Sequence, residues 1–347
     1  VTPRLRVEAL LVAARRTFGP GRDAALVDAL AAESGLHVEN VAWALEHALE
    51  LHPSEAELTQ LFARARTRSA VVVVLAANVF VAPLRAVAWA LAQGERVLVR
   101  ASRRAPTFAR ALVESAPEGL SLEWLEPTDA PAADVANALA RLPANAAVHA
   151  YGGREALAGV ARAAARASVA AELHGPGFGA VIDAEDALIG RVEDVARDIV
   201  AFDQSGCLSP RIVVVLGEPE PVARALHHAL ERLGHAVPRR ALEASERAEL
   251  RRALDAAHYA GHVWEGGEHA VVVSPRPSLL PALRVVTVCG ARHSDDAIAL
   301  VAGLGPELSN VGTSSPNVAA AFAHVRVSPL GAMQSPPLDG PVDRRVG

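Results

Sequence analysis

The strongest constraint on this chain is an alternation that begins near residue 69. Short β-branched runs take turns with segments of helical period: SAVVVVLA (69–76), AANVFVAPLRAVAWALAQG (76–94), ERVLVRA (95–101), RAPTFARALVES (104–115), LSLEWL (120–125), DVANALARL (134–142), NAAVHAYGG (145–153) and REALAGVARAAAR (154–166). A strand that reaches its neighbour through a helix runs parallel to it, with a right-handed crossover, so this order predicts an α/β fold with a parallel sheet. Ligands of such sheets collect beyond the carboxyl ends of the strands. The turns at Asn78, Ser102 and Gly152 are therefore the candidate cofactor site.

A second set of elements follows: FGAVIDAEDA (178–187), the helix VEDVARDIVAF (192–202), the loop DQSGCLSP (203–210) and the strand RIVVVLG (211–217). Helices near 219–234 and 243–260 and the strands HAVVVS (269–274) and LRVVTV (283–288) complete a second α/β lobe. Ahead of the alternation, residues 1–66 read as helical, with Ser54 in HPSE (52–55) as a helix cap. The tail from 306 carries strand-like SNVGTS and AHVRVSP before a proline-rich end.

With 347 residues and 51% hydrophobic content, the chain has enough apolar material for two lobes. Its formal net charge of −5 is spread without blocks of like charge, which argues against nucleic acid or a polybasic membrane contact. There is no lysine at all, and that excludes a Schiff-base mechanism. Two cysteines, Cys207 and Cys289, are too few for a disulfide framework and make no metal cluster, so a reducing cytoplasm is the expected setting. No apolar stretch is long enough to span a bilayer, and no signal-peptide pattern is visible at the start.

Cys207 stands out as a candidate nucleophile. It lies in a loop, among small residues that let a ligand approach, just past an amphipathic helix. The alternative is a buried structural thiol, and for Cys289, at the end of a strand, that is the preferred reading. YGG (151–153) and GPGFG (175–179) do not make the G-x-G-x-x-G grip of a standard dinucleotide fold. His258, His262, Glu265 and His269 lie close in sequence, but H-E-x-x-H is absent and no third ligand is well spaced, so no metal is expected.

FDQSGCLSPR (202–211) resembles the thiol segment of the aldehyde dehydrogenase superfamily, and within it of the LuxC-type long-chain acyl-CoA reductases. Further segments resemble that family in the same order: VLAANVFVAPLRAVAWALAQGERVLVRASRRAPTFARALVES (74–115), VHAYGGREAL (148–157), ELHGPGFGAVIDAEDA (172–187) and PLGAMQSPPLDGP (329–341). The resemblance implies an aldehyde dehydrogenase-like fold of two α/β lobes with parallel sheets: a helical start and cofactor lobe over 1–175, a catalytic lobe over 176–305, and a segment over 306–347 that returns to the cofactor lobe or an oligomer interface. It implies reduction of an acyl-CoA or other acyl thioester to an aldehyde, with Cys207 as the covalent nucleophile and Asn78 as an oxyanion donor, in a homo-oligomer. Glu172 matches the base of oxidative aldehyde dehydrogenases. Two roles fit it: that base, in an enzyme that oxidises aldehydes, or a side chain that only holds cofactor or water in a reductase. A non-catalytic subunit is the third alternative.

Cofactor contacts carried by the resemblance are Arg100, Ser102, Arg103, Gly152, Gly153 and Gly175. Where the superfamily has K-P-S-E, with a glutamate on the ribose hydroxyls, this chain has Arg100 and then Arg103, flanked by Arg104. Arginine favours a 2′-phosphate, so NADPH is the expected cofactor. The chain departs from the pattern at Ala77 and Phe80, in lacking E-x-F-G-P near SLLPALRVV (278–286), and at Gly340 and Arg344.

Overall fold

The computed structural model describes residues 1–143 and 145–345. The helical start is α1 (Pro3–Phe18), α2 (Ala24–Ser34), α3 (Val38–His47) and α4 (Glu55–Arg64). Ser54 caps α4 as its sequence anticipates: its hydroxyl accepts from the N–H of Glu57, whose carboxylate accepts from the N–H of Ser54. The alternating stretch gives β1 (Arg68–Val74), α5 (Ala82–Gln93), β2 (Gly94–Arg100), α6 (Thr107–Glu114), β3 (Leu122–Trp124), α7 (Pro131–Leu139), β4 (Ala147–Tyr151), α8 (Arg154–Arg166) and β5 (Ala170–His174).

These strands form one parallel sheet in the order β3-β2-β1-β4-β5. Val72, Val74, Leu98, Val148 and Ala150 pack on one face against Val135 of α7 and Leu157 and Val160 of α8. Every residue of α5 from Pro83 to Gln93 is buried. Full burial of each such valine or leucine contributes about 1.5–3 kcal/mol. With both faces covered, the strands read as unbroken apolar runs rather than alternating ones. The strand order reverses between β1 and β4, which opens a crevice at their carboxyl ends.

A second sheet is built from β6 (Phe178–Ala184), β7 (Pro210–Leu216), β8 (His262–Glu265), β9 (Ala270–Val273), β10 (Val285–Ala291), β11 (Leu308–Gly312) and β12 (Arg326–Ser328). Its order is β12-β11-β6-β7-β10-β9-β8, parallel throughout except for the antiparallel edge strand β8. Interleaved with them are α9 (Glu185–Gly190), α10 (Val192–Val200), α11 (Pro219–Ala236), α12 (Ala244–Ala260), α13 (Ser294–Ala302) and α14 (Pro316–Ala321). Val181, Val213 and Val215 face Val195, Ile199 and Leu226 of α10 and α11. Their neighbours Ala180, Ile182, Ile212 and Val214 face Ala297 and Val301 of α13 and Val318 of α14.

The chain divides into two compact units: residues 1–34, 44–176 and 337–347 form the first, and residues 35–43 and 177–336 the second. The tail is shared between them. Strands β11 and β12 complete the second sheet, whereas the segment after Pro336 docks on the first unit, where Arg345 donates to the carbonyl of Pro176 at 3.1 Å and to Asp343 at 2.7 Å. Strands β5 and β8 have no counterpart in the sequence reading, for AAELH and HVWE carry few β-branched residues. No helix among the described residues is long and apolar enough to cross a membrane.

Candidate active site

In the second unit, Cys207 lies on the short loop between α10 and β7, at the amino edge of the sheet. Its side chain is partly exposed, while Cys289 is buried in β10, where burial pushes its thiol up to about 11. The loop begins with an unusual backbone. Phe202, Asp203 and Gln204 all have left-handed conformations, with φ of 53°, 50° and 65°. Such conformations cost non-glycine residues of order 1–3 kcal/mol each and persist only where the surroundings over-determine them.

Here the surroundings do so. Asn40 reaches the segment twice: its Oδ1 accepts from the N–H of Phe202 at 3.2 Å, and its Nδ2 donates to Asp203 Oδ1 at 3.2 Å. Asp203 also accepts from Arg284 Nε at 2.8 Å and from the N–H of Arg240 at 3.0 Å. Both Asp203 and Arg284 are about 1% exposed, and Arg284 itself has φ of 60°. Removing one partner of a buried pair of this kind costs about 3–5 kcal/mol, because the other charge is left without compensation.

Gln204 closes the loop. Its Nε2 donates to the carbonyls of Pro210 at 2.8 Å and Val285 at 2.9 Å, and its Oε1 accepts from the N–H of Val285 at 2.9 Å. Ser309 of β11 donates its hydroxyl to the carbonyl of Cys207 and to that of Phe178. Gly179 of β6 is required beneath the loop: a Cβ there would stand 2.4 Å from the carbonyl oxygen of Leu208 and 2.8 Å from Met333 Cε.

The other sequence-derived candidates belong to the first unit. Asn78 is exposed in the bend after β1, and Ser102 follows β2, where its hydroxyl accepts from the N–H of Arg104 at 3.3 Å. Gly152 and Gly153 follow β4, and Gly153 is the cap residue of α8. These turns share the carboxyl edge of the first sheet. Arg103 and Arg104 are exposed there, with Arg103 paired to the exposed Asp129. Arg100 is turned inward: its Nε donates to Asp134 at 3.0 Å and its Nη2 to the carbonyl of Thr128 at 2.6 Å, fastening the loop between β3 and α7. Gly175 accepts from Arg345 at 3.5 Å.

Glu172 sits in mid-strand on β5, opposite His149 of β4. Its Oε2 accepts from Trp89 Nε1 at 2.9 Å and lies 3.5 Å from His149 Nε2. His149 is wholly buried, and burial holds its imidazole down at about 3. No local pattern in the sequence marks Trp89, His149, Asn40 or Arg284. Asp203 and Gln204 adjoin the thiol in sequence, so their place in the motif was visible while their role was not.

A family model described as acyl-CoA reductase (LuxC) matches residues 39–333. The chain belongs to that family. Solved structures carry the fold of the LuxC-family chain to the aldehyde dehydrogenases. An oxidoreductase from Marinobacter aquaeolei is 12% identical, with 99% of this chain and 84% of that one covered and a TM-score of 0.71. A succinic semialdehyde dehydrogenase from Streptococcus pyogenes, solved with NADP+, is 14% identical, with 95% and 82% covered and a TM-score of 0.68. A NAD-dependent aldehyde dehydrogenase from Sinorhizobium meliloti is 15% identical, with 95% and 74% covered and a TM-score of 0.67. No curated protein sequence matches the chain. As a LuxC-family member, it is an acyl-CoA reductase of aldehyde dehydrogenase-like fold.

Proposed function

We propose that this reductase works through an acyl-thioenzyme on Cys207 and draws its reducing equivalents from NADPH. The observation that carries the reading is the Cys207 loop itself: a partly exposed thiol on a backbone locked by buried partners, in a chain of this family. The Cys207 thiolate attacks the thioester carbonyl, the tetrahedral oxyanion collapses, and CoA departs as its thiolate. Asn78, together with the backbone N–H of Cys207, is the proposed donor pair for that oxyanion. Aldehyde release from the reduced acyl group returns Cys207 to its thiolate.

The cofactor's place is the carboxyl edge of the first sheet, which makes this unit the cofactor-binding lobe and the other the thiol lobe. Residues there fit such a group. Gly153 leaves open space where a Cβ would stand, Gly152 would meet only Ala156 Cβ at 3.9 Å, and Arg103 and Arg104 present exposed guanidinium groups beside Ser102. A nicotinamide bound there supplies the two-electron reduction. Arg103 and Arg104 would bind the 2′-phosphate, and Arg100 would support the turn from below. Glu172 is engaged by Trp89, which supports a holding role rather than that of a hydrolytic base.

The test is direct. Cys207→Ser and Cys207→Ala are expected to abolish NADPH-dependent reduction across a panel of acyl-CoA chain lengths while both proteins stay folded, because only the thiolate is a competent acyl acceptor at neutral pH. Wild type incubated with acyl-CoA alone should carry an acyl mass adduct on the Cys207 peptide. Full activity in either variant, or an adduct on Cys289 instead, overturns the mechanism.

A further inference from the structure

We infer that Gln204 is a positioning residue for the thiol: its side-chain amide replaces a peptide group at the mouth of the second sheet and fixes the geometry of the Cys207 loop for attack. The assignment rests on Cys207 being the nucleophile. Residues 204 and 210 are the two ends of that loop, and the Gln204 side chain ties one to the other by donating to the carbonyl of Pro210. The same amide exchanges two hydrogen bonds with the backbone of Val285, where β10 begins. It thereby occupies the position that a further pair of strand residues would fill in the β7–β10 ladder, whose register starts at Ile212 opposite Thr287. All three contacts are buried, so none is exchanged with water.

This arrangement needs the left-handed backbone. A side chain leaving residue 204 from an ordinary conformation would point elsewhere, and the φ of 65° at Gln204 turns it back between β7 and β10. Asp203, Asn40 and Arg284 hold the preceding residues in the same conformation. Four of the five non-glycine residues with positive φ among the described residues belong to this cluster: Phe202, Asp203, Gln204 and Arg284. Strain concentrated beside one reactive side chain is the pattern expected where precise placement matters, since a displacement of about 1 Å can cost 10²-fold in rate.

The experiment measures kcat and KM for an acyl-CoA series with NADPH, and the rate of Cys207 alkylation by iodoacetamide followed on its peptide, in Gln204→Ala and Gln204→Glu. For both variants kcat should fall about 30-fold or more at pH 8, with KM within about threefold, the split expected of a group that places the nucleophile rather than binds substrate. Alkylation, which needs no oriented acyl group, should stay within about threefold of wild type. Gln204→Glu keeps the shape of the side chain but sets a carboxylate against two carbonyls. Protonation restores one donor, so its kcat relative to wild type should recover as pH falls from 8 to 6, and urea unfolding at both pH values, with the enzyme fully folded in each assay, separates this recovery from a change in the folded fraction. Folded Gln204→Ala with wild-type kcat, or Gln204→Glu with a flat pH profile, overturns the assignment. Cys207→Ser run alongside separates the failures: full activity there removes the thiol reading and this inference together, whereas an inactive Cys207→Ser beside a fully active Gln204→Ala removes this inference alone.

Discussion

Asn78 and Arg103 are single side chains exposed at the carboxyl edge of the first sheet, and each makes a prediction at that scale. Asn78→Ala should lower kcat by roughly two to three orders of magnitude with a smaller effect on KM, as befits a donor used mainly in the transition state; steady-state kinetics on acyl-CoA checks it. Arg103 is paired with Asp129, so a 2′-phosphate must compete with that carboxylate. Arg103→Glu should therefore lower the preference for NADPH over NADH at least about tenfold, and Asp129→Asn should raise it; kcat/KM for both cofactors measures the two shifts. Cys207 could be singled out in the sequence as the proposed nucleophile because its surroundings are local: small neighbours, a loop, a family motif. Asn40 and Arg284 left none. Their contribution is a hydrogen bond or ion pair to Asp203 made across a long stretch of chain, and an asparagine in a helical segment or an arginine before a strand has many ordinary uses. Arg100 was visible as a cation near the carboxyl edge of the first sheet, but its inward turn to Asp134 depends on a loop that no local pattern encodes.

Among the elements, the valine-rich strands and the helices between them were legible because burial on both faces writes itself as continuous apolar runs. Strand β5 was not, since two of its residues are alanine and it earns its place by pairing with β4. The approach of β6 to the thiol loop is an element-scale contact that also escaped the sequence, although a glycine marked it. Gly179→Ala would bring a methyl group within 2.4 Å of the Leu208 carbonyl, a backbone atom that cannot swing aside. We expect a loss of about 1–3 kcal/mol in stability, from urea unfolding, together with a fall in kcat as the loop is displaced. A loop that tolerates alanine at 179 with unchanged kcat would contradict this packing.

Taken over the whole chain, buried ionisable groups set how each unit responds to acid. In the first unit, burial holds His149 at about 3 and His174 at about 4, well below the 6.5 of an unfolded imidazole. The unfolded chain therefore takes up protons below pH 6.5 while the folded unit does not, and stability falls as pH drops from 6.5 toward 4. At pH 5 the loss is about 2 kcal/mol per histidine. In the second unit, His269, held at about 4, acts in the same direction, but burial raises the Asp198 carboxyl to about 7, which favours the folded state as pH falls. The two oppose each other, with His227, lowered by burial, on the side of His269. Hydrogen-exchange protection, corrected for intrinsic rates, should fall between pH 7 and 5 in peptides of β4 and β5 and fall less in those of β7 and α10; His149→Phe should reduce the fall in the first unit. Finally, the path of the chain has a consequence for its synthesis. The segment that brings Arg345 onto Gly175 and Pro176 leaves the ribosome only after the whole stretch 177–336. These contacts of the first unit can form only after the whole intervening stretch has been synthesised, so the unit is completed last by the part of the chain made last.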